Sequence, residues 1–165
     1  MLDNIPDGAH CFVDTNLIVD YMIDFAPFSQ QCETLFRRVK AGFVLASTSA
    51  TVVGESVHKI MLAEAMQQHG LARQGLAHRL QRKRDLITTL SEHQKVSGFV
   101  RGLGLHVEAV TLDLIERAAV LSVQHRLLTN DAITVAAMEK LGLTHLATND
   151  DNFDTVPGFT IWKPR

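Results

Sequence analysis

The chain has 165 residues, 46% hydrophobic and 21% charged, with a formal net charge of −2. That length suits one domain and that composition supports a packed core, so disorder is excluded. The slightly acidic balance excludes a generally basic nucleic-acid surface, and no apolar run approaches the ~18 residues a membrane span requires.

Short apolar runs alternate with amphipathic stretches, the pattern of an α/β fold with a mostly parallel sheet. The opening, Met1 to Gly8, has no basic stretch leading into an apolar one, so no secretory signal is expected. Cys11 and Cys32 lack CxxC spacing, which is the usage of reduced thiols in a cytoplasmic protein. Cys11–Asp14 is the first predicted strand. A helix follows from Thr15 or Asn16, both good caps, and Pro27 punctuates its end. Ser29–Lys40 is predicted as a helix stopped by Gly42, and Phe43–Ala46 as the next strand.

Ser47 or Thr48 caps a longer helix reaching about His69, with Val53, Val57, Ile60 and Met61 at i, i+4, i+7 and i+8. Gly70 and Gly75 bracket a break, after which Leu76, Leu80, Ile87 and Leu90 mark a second helix ending near Gly98–Gly104. The two make an expected helical hairpin over about residues 65–104. His106–Thr111 is a predicted strand and Leu112–His125 a helix. Asp131 begins another helix, with Ile133, Ala136, Ala137 and Leu141 on one face, until Gly142 stops it. Strands at His145–Thr148 and Phe159–Trp162 enclose a polar loop, Asn149–Asp154. No linker or repeat intervenes, so residues 1–165 are expected to be a single domain.

Four acids stand where a strand ends or a helix is beginning: Asp14, Glu55, Asp131 and Asp150. In an open parallel sheet, ligands gather at the carboxyl ends of the strands. Carboxylates that converge there need a cation. Each acid also has a plain structural reading. Asp14 is a helix cap or, since Thr15 and Asn16 can cap, a group free to enter the strand-end crevice. Glu55 lies opposite the Val53/Val57/Ile60 stripe and pairs with Lys59 at i+4, or sits at a buried edge, because Leu62 and Met66 fall on its own side. Asp131 offsets a helix dipole, with Asn130 as an alternative cap, or joins the other acids. The loop after the fourth strand is a solvated turn, or else supplies Asp150 directly and Asp154 in reserve.

Basic residues concentrate in Arg73, Arg79, Arg82, Lys83 and Arg84. Arg79, Arg82 and Arg84 are candidate phosphate contacts, although the charges scatter around the helical wheel, as on a solvated surface. The histidines show no HExxH spacing, Ser56 and Ser122 lack a nucleophile elbow, and no GxxxxGK[ST] or GxGxxG motif occurs. Zinc and nucleotide-cofactor chemistry therefore have no support.

Taken jointly, several blocks resemble the PIN-domain family of ribonucleases, which includes VapC-like toxins, over nearly the full length. They are Phe12-Val13-Asp14-Thr15-Asn16, Glu55 on the third helix, Asn130-Asp131-Ala132, and Leu146 to Phe153 followed by Val156-Pro157-Gly158-Phe159. The resemblance implies a three-layer α/β/α sandwich and an endoribonuclease that uses Mg²⁺ or Mn²⁺. It carries the family's acids to Asp14, Glu55, Asp131 and Asp150, and its hydroxyl-bearing position to Thr15. It further implies frequent homodimers and, for many members, an antitoxin that blocks the acidic pocket. Asn152 departs from the pattern: many relatives have an aspartate there, and Asn adds no charge. The hairpin is also longer than in compact toxins. A PIN-like module that binds RNA or protein without turnover is the alternative these departures keep open.

Overall fold

The computed structural model describes residues 1–24 and 27–165. The apolar run Cys11-Phe12-Val13 is fully buried, and it places β1 (His10–Val13) at the centre of a five-stranded sheet. Strands covered on both faces read as continuous hydrophobics, not as alternation. β2 (Leu45–Ser49) and β4 (His145–Ala147) flank β1; β3 (His106–Glu108) lies beyond β2 and β5 (Thr160–Trp162) beyond β4. Every pairing is parallel. The order β3-β2-β1-β4-β5 means the chain builds outward on one side of β1, then crosses and builds on the other. The reversal falls between β1 and β4, where a parallel sheet forms its ligand crevice.

The helices are α1 (Thr15–Met22), α2 (Ser29–Lys40), α3 (Ala50–His69), α4 (Leu76–Arg82), α5 (Val96–Gly102), α6 (Leu112–His125) and α7 (Thr129–Leu141). α1 packs on α2 and α3, and α6 on α7. This is the expected α/β/α sandwich, and its sheet is parallel throughout. Phe12, Leu17, Ile18, Leu35, Leu121, Met138 and Leu146 fill one contiguous core. Each such side chain contributes roughly 1.5–3 kcal/mol by leaving water. α7 is buried without a break from Ala132 to Met138, so the polar residues at its start are rigidly held. Among the described residues no helix is long and apolar enough to cross a membrane.

Several boundaries differ from expectation for identifiable reasons. α1 ends at Met22; the expected continuation to Pro27 crosses residues 25–26, which lie outside the described residues. The second strand is Leu45–Ser49, not Phe43–Ala46. Phe43 and Leu45 are 56% and 55% exposed, while Ser47, Thr48 and Ser49 are fully buried. Burying these hydroxyls is tolerable because each is hydrogen-bonded. Ser47 Oγ lies 2.7 Å from His10 Nε2, Thr48 Oγ1 donates to the Val13 carbonyl at 2.9 Å, and Ser49 Oγ accepts from Val52 N at 3.3 Å. Ser49, one or two residues later than expected, therefore caps α3. β3 stops at Glu108 because Thr111 is used as the cap of α6.

The second arm of the expected hairpin is not one helix. α4 is followed by 3₁₀ turns at Arg84–Thr89 and Glu92–Lys95, then by α5. Glu64, buried on α3, sets this segmentation. Its carboxylate accepts from the Ser91 and Glu92 amides at 2.8 and 2.9 Å and from Gln68 Nε2 at 3.0 Å. A remote side chain thus caps the turn that leads into α5. Leu80 and Leu90 join Ala65 in a second, smaller apolar cluster around the far end of α3.

Candidate active site

The carboxyl end of β1 delivers Asp14 in extended backbone geometry, and its carboxylate caps α1 by accepting from Thr15 N at 2.7 Å. The cap role expected for Thr15 or Asn16 thus belongs to Asp14. The other oxygen, Oδ2, accepts from Thr148 Oγ1 at 2.7 Å and from Asn16 Nδ2 at 2.9 Å. Thr148 follows β4, so this contact ties the two strand ends across the switch point. Its hydroxyl also accepts from Asp150 N at 3.0 Å, and Asn149 N donates to Asn16 Oδ1 at 2.9 Å. Burial pushes the Asp14 pKa up to about 6; Thr148 and Thr15 oppose that through hydrogen bonds, Glu55 adds to it, and Lys59 offsets it. Three donors therefore do not fully compensate for the lost water and the like charge nearby.

Freed from capping, Thr15 Oγ1 donates to Glu55 Oε2 at 3.3 Å, and Asn130 Nδ2 donates to the same oxygen at 3.3 Å. Asn130 therefore links α7 to α3 and leaves α7 without a side-chain cap. Glu55 Oε1 pairs with Lys59 Nζ at 2.8 Å, the i+4 contact the spacing predicts. Asp131 lies in the first turn of α7. Its pKa is raised by burial and by the Asp150 and Glu55 charges, against the Asn152 hydrogen bond and Lys59.

Asn152 connects the last two acids. Its amide side chain donates to Asp131 Oδ2 at 3.3 Å and its backbone N–H to Asp150 Oδ1 at 2.8 Å. An aspartate here would add a third charge to a pair that already repels; Asn152 brings a donor instead. Asp14, Thr15, Glu55, Asn130, Asp131, Asn152 and Asp150 thus belong to one neighbourhood, built from four separate elements.

A hollow of about 560 Å³ opens here, lined by Asn16, Asp20, Phe28, Lys59, Asp150 and Asn152 among others. Asp20 was not singled out by spacing, although it lies one helical turn beyond Asn16. Burial raises its pKa and Lys59 lowers it. Spacing marks Thr148, Asn16 and Lys59 as strand-end, cap and surface-pair residues, and the family-like blocks include the first two without giving them a role. Asp154 is engaged elsewhere: Lys163 Nζ lies 2.6 Å from it and 2.6 Å from Asp151. Arg79, Arg82 and Arg84 are exposed on α4 and the turn after it, and none makes any of the hydrogen bonds that join the acids.

Among the described residues, no three histidine, cysteine, aspartate or glutamate side chains form a ready metal cage. The acids occur as linked pairs. Their donors are all hard oxygens, a set suited to a cation such as Mg²⁺ or Mn²⁺ that keeps several waters and uses few carboxylates.

A family model described as PIN domain matches residues 11–158. The fold is similar to that of VapC20 from Mycobacterium tuberculosis, described as a Sarcin-Ricin loop cleaving toxin. The TM-score is 0.63 at 20% identity, covering 91% of this chain and 96% of that one. It is also similar to VapBC2 from Rickettsia felis bound to a DNA fragment from their promoter, with TM-score 0.61, 12% identity, and 94% and 99% coverage. A toxin–antitoxin complex from Klebsiella pneumoniae gives 0.50 at 20% identity, with 91% and 95% coverage. No curated protein matches the chain. At these identities the structural likeness speaks for the fold.

Proposed function

Because the chain belongs to the PIN-domain family, we propose that it is a metal-dependent endoribonuclease, the toxin of a toxin–antitoxin pair. The observation that carries this is the chain of hydrogen bonds at the β1/β4 switch point that links Asp14, Glu55, Asp131 and Asp150 through Thr15, Thr148, Asn130 and Asn152, next to a hollow lined by Asp150. Asp14, Asp131 and Asp150 would hold Mg²⁺ or Mn²⁺, one ion or two, with Glu55 as a further ligand or general base. When bound, the ion polarises the phosphodiester and acidifies a water. Thr15 orients Glu55, and Asn152 keeps Asp131 and Asp150 together. Arg79, Arg82 and Arg84 are proposed RNA contacts, supported by their exposure on one short stretch.

Phosphodiester hydrolysis places new charge on phosphoryl oxygens. A group of carboxylates that repel one another is suited to it only with a cation present. The metal-free cluster is therefore a site whose charge is still unbalanced, consistent with the raised pKa values of Asp14 and Asp131.

A homodimer is proposed through α6. Its outer face carries Leu112, Val120 and Val123, the last 83% exposed, around Ala119. Asp113 and Glu116 lie toward one end and Arg126 at the other. Antiparallel self-pairing about Ala119 would set Val123 against the partner copy's Ile115 and bring the Asp113 end toward Arg126, as a two-fold interface allows. An antitoxin partner is proposed from the likeness to the Rickettsia and Klebsiella complexes. A cytoplasmic location goes with this reading, supported by the buried free thiols Cys11 and Cys32.

Incubating the protein with a mixed RNA pool in Mn²⁺, then in EDTA, beside Asp14→Asn, tests the proposal. Cleavage that needs both the metal and Asp14 is expected. Asn152 favours one rival, an RNA- or protein-binding module without turnover; RNA binding without cleavage would select it.

A further inference from the structure

Lys59 sets an ammonium group among the acids. Its ammonium lies 2.8 Å from Glu55 Oε1. It lines the hollow with Asp20 and Asp150. Among the described residues, it is the one lysine, arginine or histidine lining that hollow. An ordinary i,i+4 surface pair contributes little to folding, but this one closes a coordination set. Glu55 Oε2 already accepts from Thr15 and Asn130, so Oε1, the oxygen Lys59 faces, is the one more open to a cation. A cation that recruits Glu55 through that oxygen meets the Lys59 ammonium at close range. The side chain can yield: it is flexible, strongly hydrated and 47% exposed.

Resting on the nuclease reading above, we propose that Lys59 is a competing counter-cation of the site. It holds Glu55 in the metal-free protein, and a divalent ion engages Glu55 in competition with it. Lys59 is thus a positioning residue that sets how readily the site loads. It balances charge until the ion arrives and then swings away.

The test is calorimetric titration of Mn²⁺ into the EDTA-stripped full chain, comparing wild type, Lys59→Met and Lys59→Arg. Methionine keeps most of the stem and removes the charge. Lys59→Met is expected to bind Mn²⁺ about tenfold more tightly, equivalent to ~1.4 kcal/mol, and to melt lower than wild type when stripped. Lys59→Arg should stay near wild type, and the gain should vanish when Glu55→Gln is present in both proteins.

A purely structural Lys59 would loosen Glu55 when replaced and weaken binding; a lysine used only on RNA phosphate would leave Mn²⁺ affinity unchanged. Either result, or an equal gain in Lys59→Arg, overturns the proposal. Should Lys59→Met fail to fold, Lys59→Gln serves the same comparison. Equal binding by wild type and the neutral variant removes this proposal and leaves the nuclease reading standing. No Mn²⁺ binding by either protein removes both.

Discussion

Two carboxylates are sunk almost equally deep in this molecule and end in opposite electrostatic states. Asp14 is 9% exposed at the strand ends, and Glu64 is 4% exposed between α3 and the 84–102 segment. Burial is the largest influence on each and favours the protonated form of both. Asp14 is pushed up to about 6. Glu64 is held below its ordinary value, because the Ser91 and Glu92 amides and His93 together outweigh burial. Asp14 also receives several hydrogen bonds, but it shares its surroundings with Glu55. Hydrogen bonding alone thus does not decide the state of a buried carboxylate. At Asp14 burial outweighs it, and the Glu55 charge adds to the shift.

The widest gap between the regions should appear in activity. Asp14→Asn is expected to lower RNA cleavage at least ~10²-fold, since a cation's help is worth several kcal/mol, while leaving the metal-free fold as stable or more so. A stability loss as large as that of a Glu64 variant would erase the distinction.

The converse change is Glu64→Ala. It strands two amide donors, each worth roughly 1–3 kcal/mol when buried unpaired, so a loss of about 3 kcal/mol in urea unfolding is expected. Cleavage per folded molecule should not change. A loss under ~1 kcal/mol would mean that the 91–95 turn is held by something other than this carboxylate.

Opposite pKa shifts also demand opposite pH responses. For Asp14 the folded form binds its proton more tightly than the unfolded chain. Stability of the metal-free protein should therefore fall as pH rises from about 4 to 6, by at most ~2–3 kcal/mol, and Asp14→Asn should flatten that slope. For Glu64 the folded pKa is depressed. Its contribution is complete above the unfolded value near ~4.3 and is lost as pH drops through the folded one. Chemical denaturation across pH, with each variant, separates the two.

The smallest effect is expected from neutralising Arg79, Arg82 and Arg84 together. If they contact phosphate, RNA affinity weakens uniformly and the salt dependence drops by about one unit of slope per contact. An unchanged slope would leave the Glu64 lobe a purely structural region.

Much of the frame was readable from residues alone. α2 and α6 match their predicted limits, and α7, β4 and β5 are displaced by only a residue or two, because apolar periodicity and punctuating glycines agree there. β2 was displaced because Ser47, Thr48 and Ser49 look like a helix cap but are satisfied inside the sheet. The second hairpin arm broke up because Glu64, far away in sequence, supplies the amide acceptors that a continuous helix would have provided internally.

Within the site, Asp14 and Asp150 were legible from their places at strand ends. The roles of Asn16, Thr148 and Asn130 were not, since each depends on which strand or helix lies beside it. Asp20 carried only one hint, its single-turn spacing from Asn16.

α3 spans both apolar clusters, the main core through Val52 and Ile60 and the smaller one through Ala65. At 1.5 Å per residue, it is a beam anchored at one end and loaded at the other. Glu55 and Lys59 ride on the anchored half. Amide exchange along α3 should therefore split into two cooperative units near Met61, the distal one opening first. The lobe it carries can breathe without turning Glu55 out of register, and that insulates the candidate site from motion at the far end.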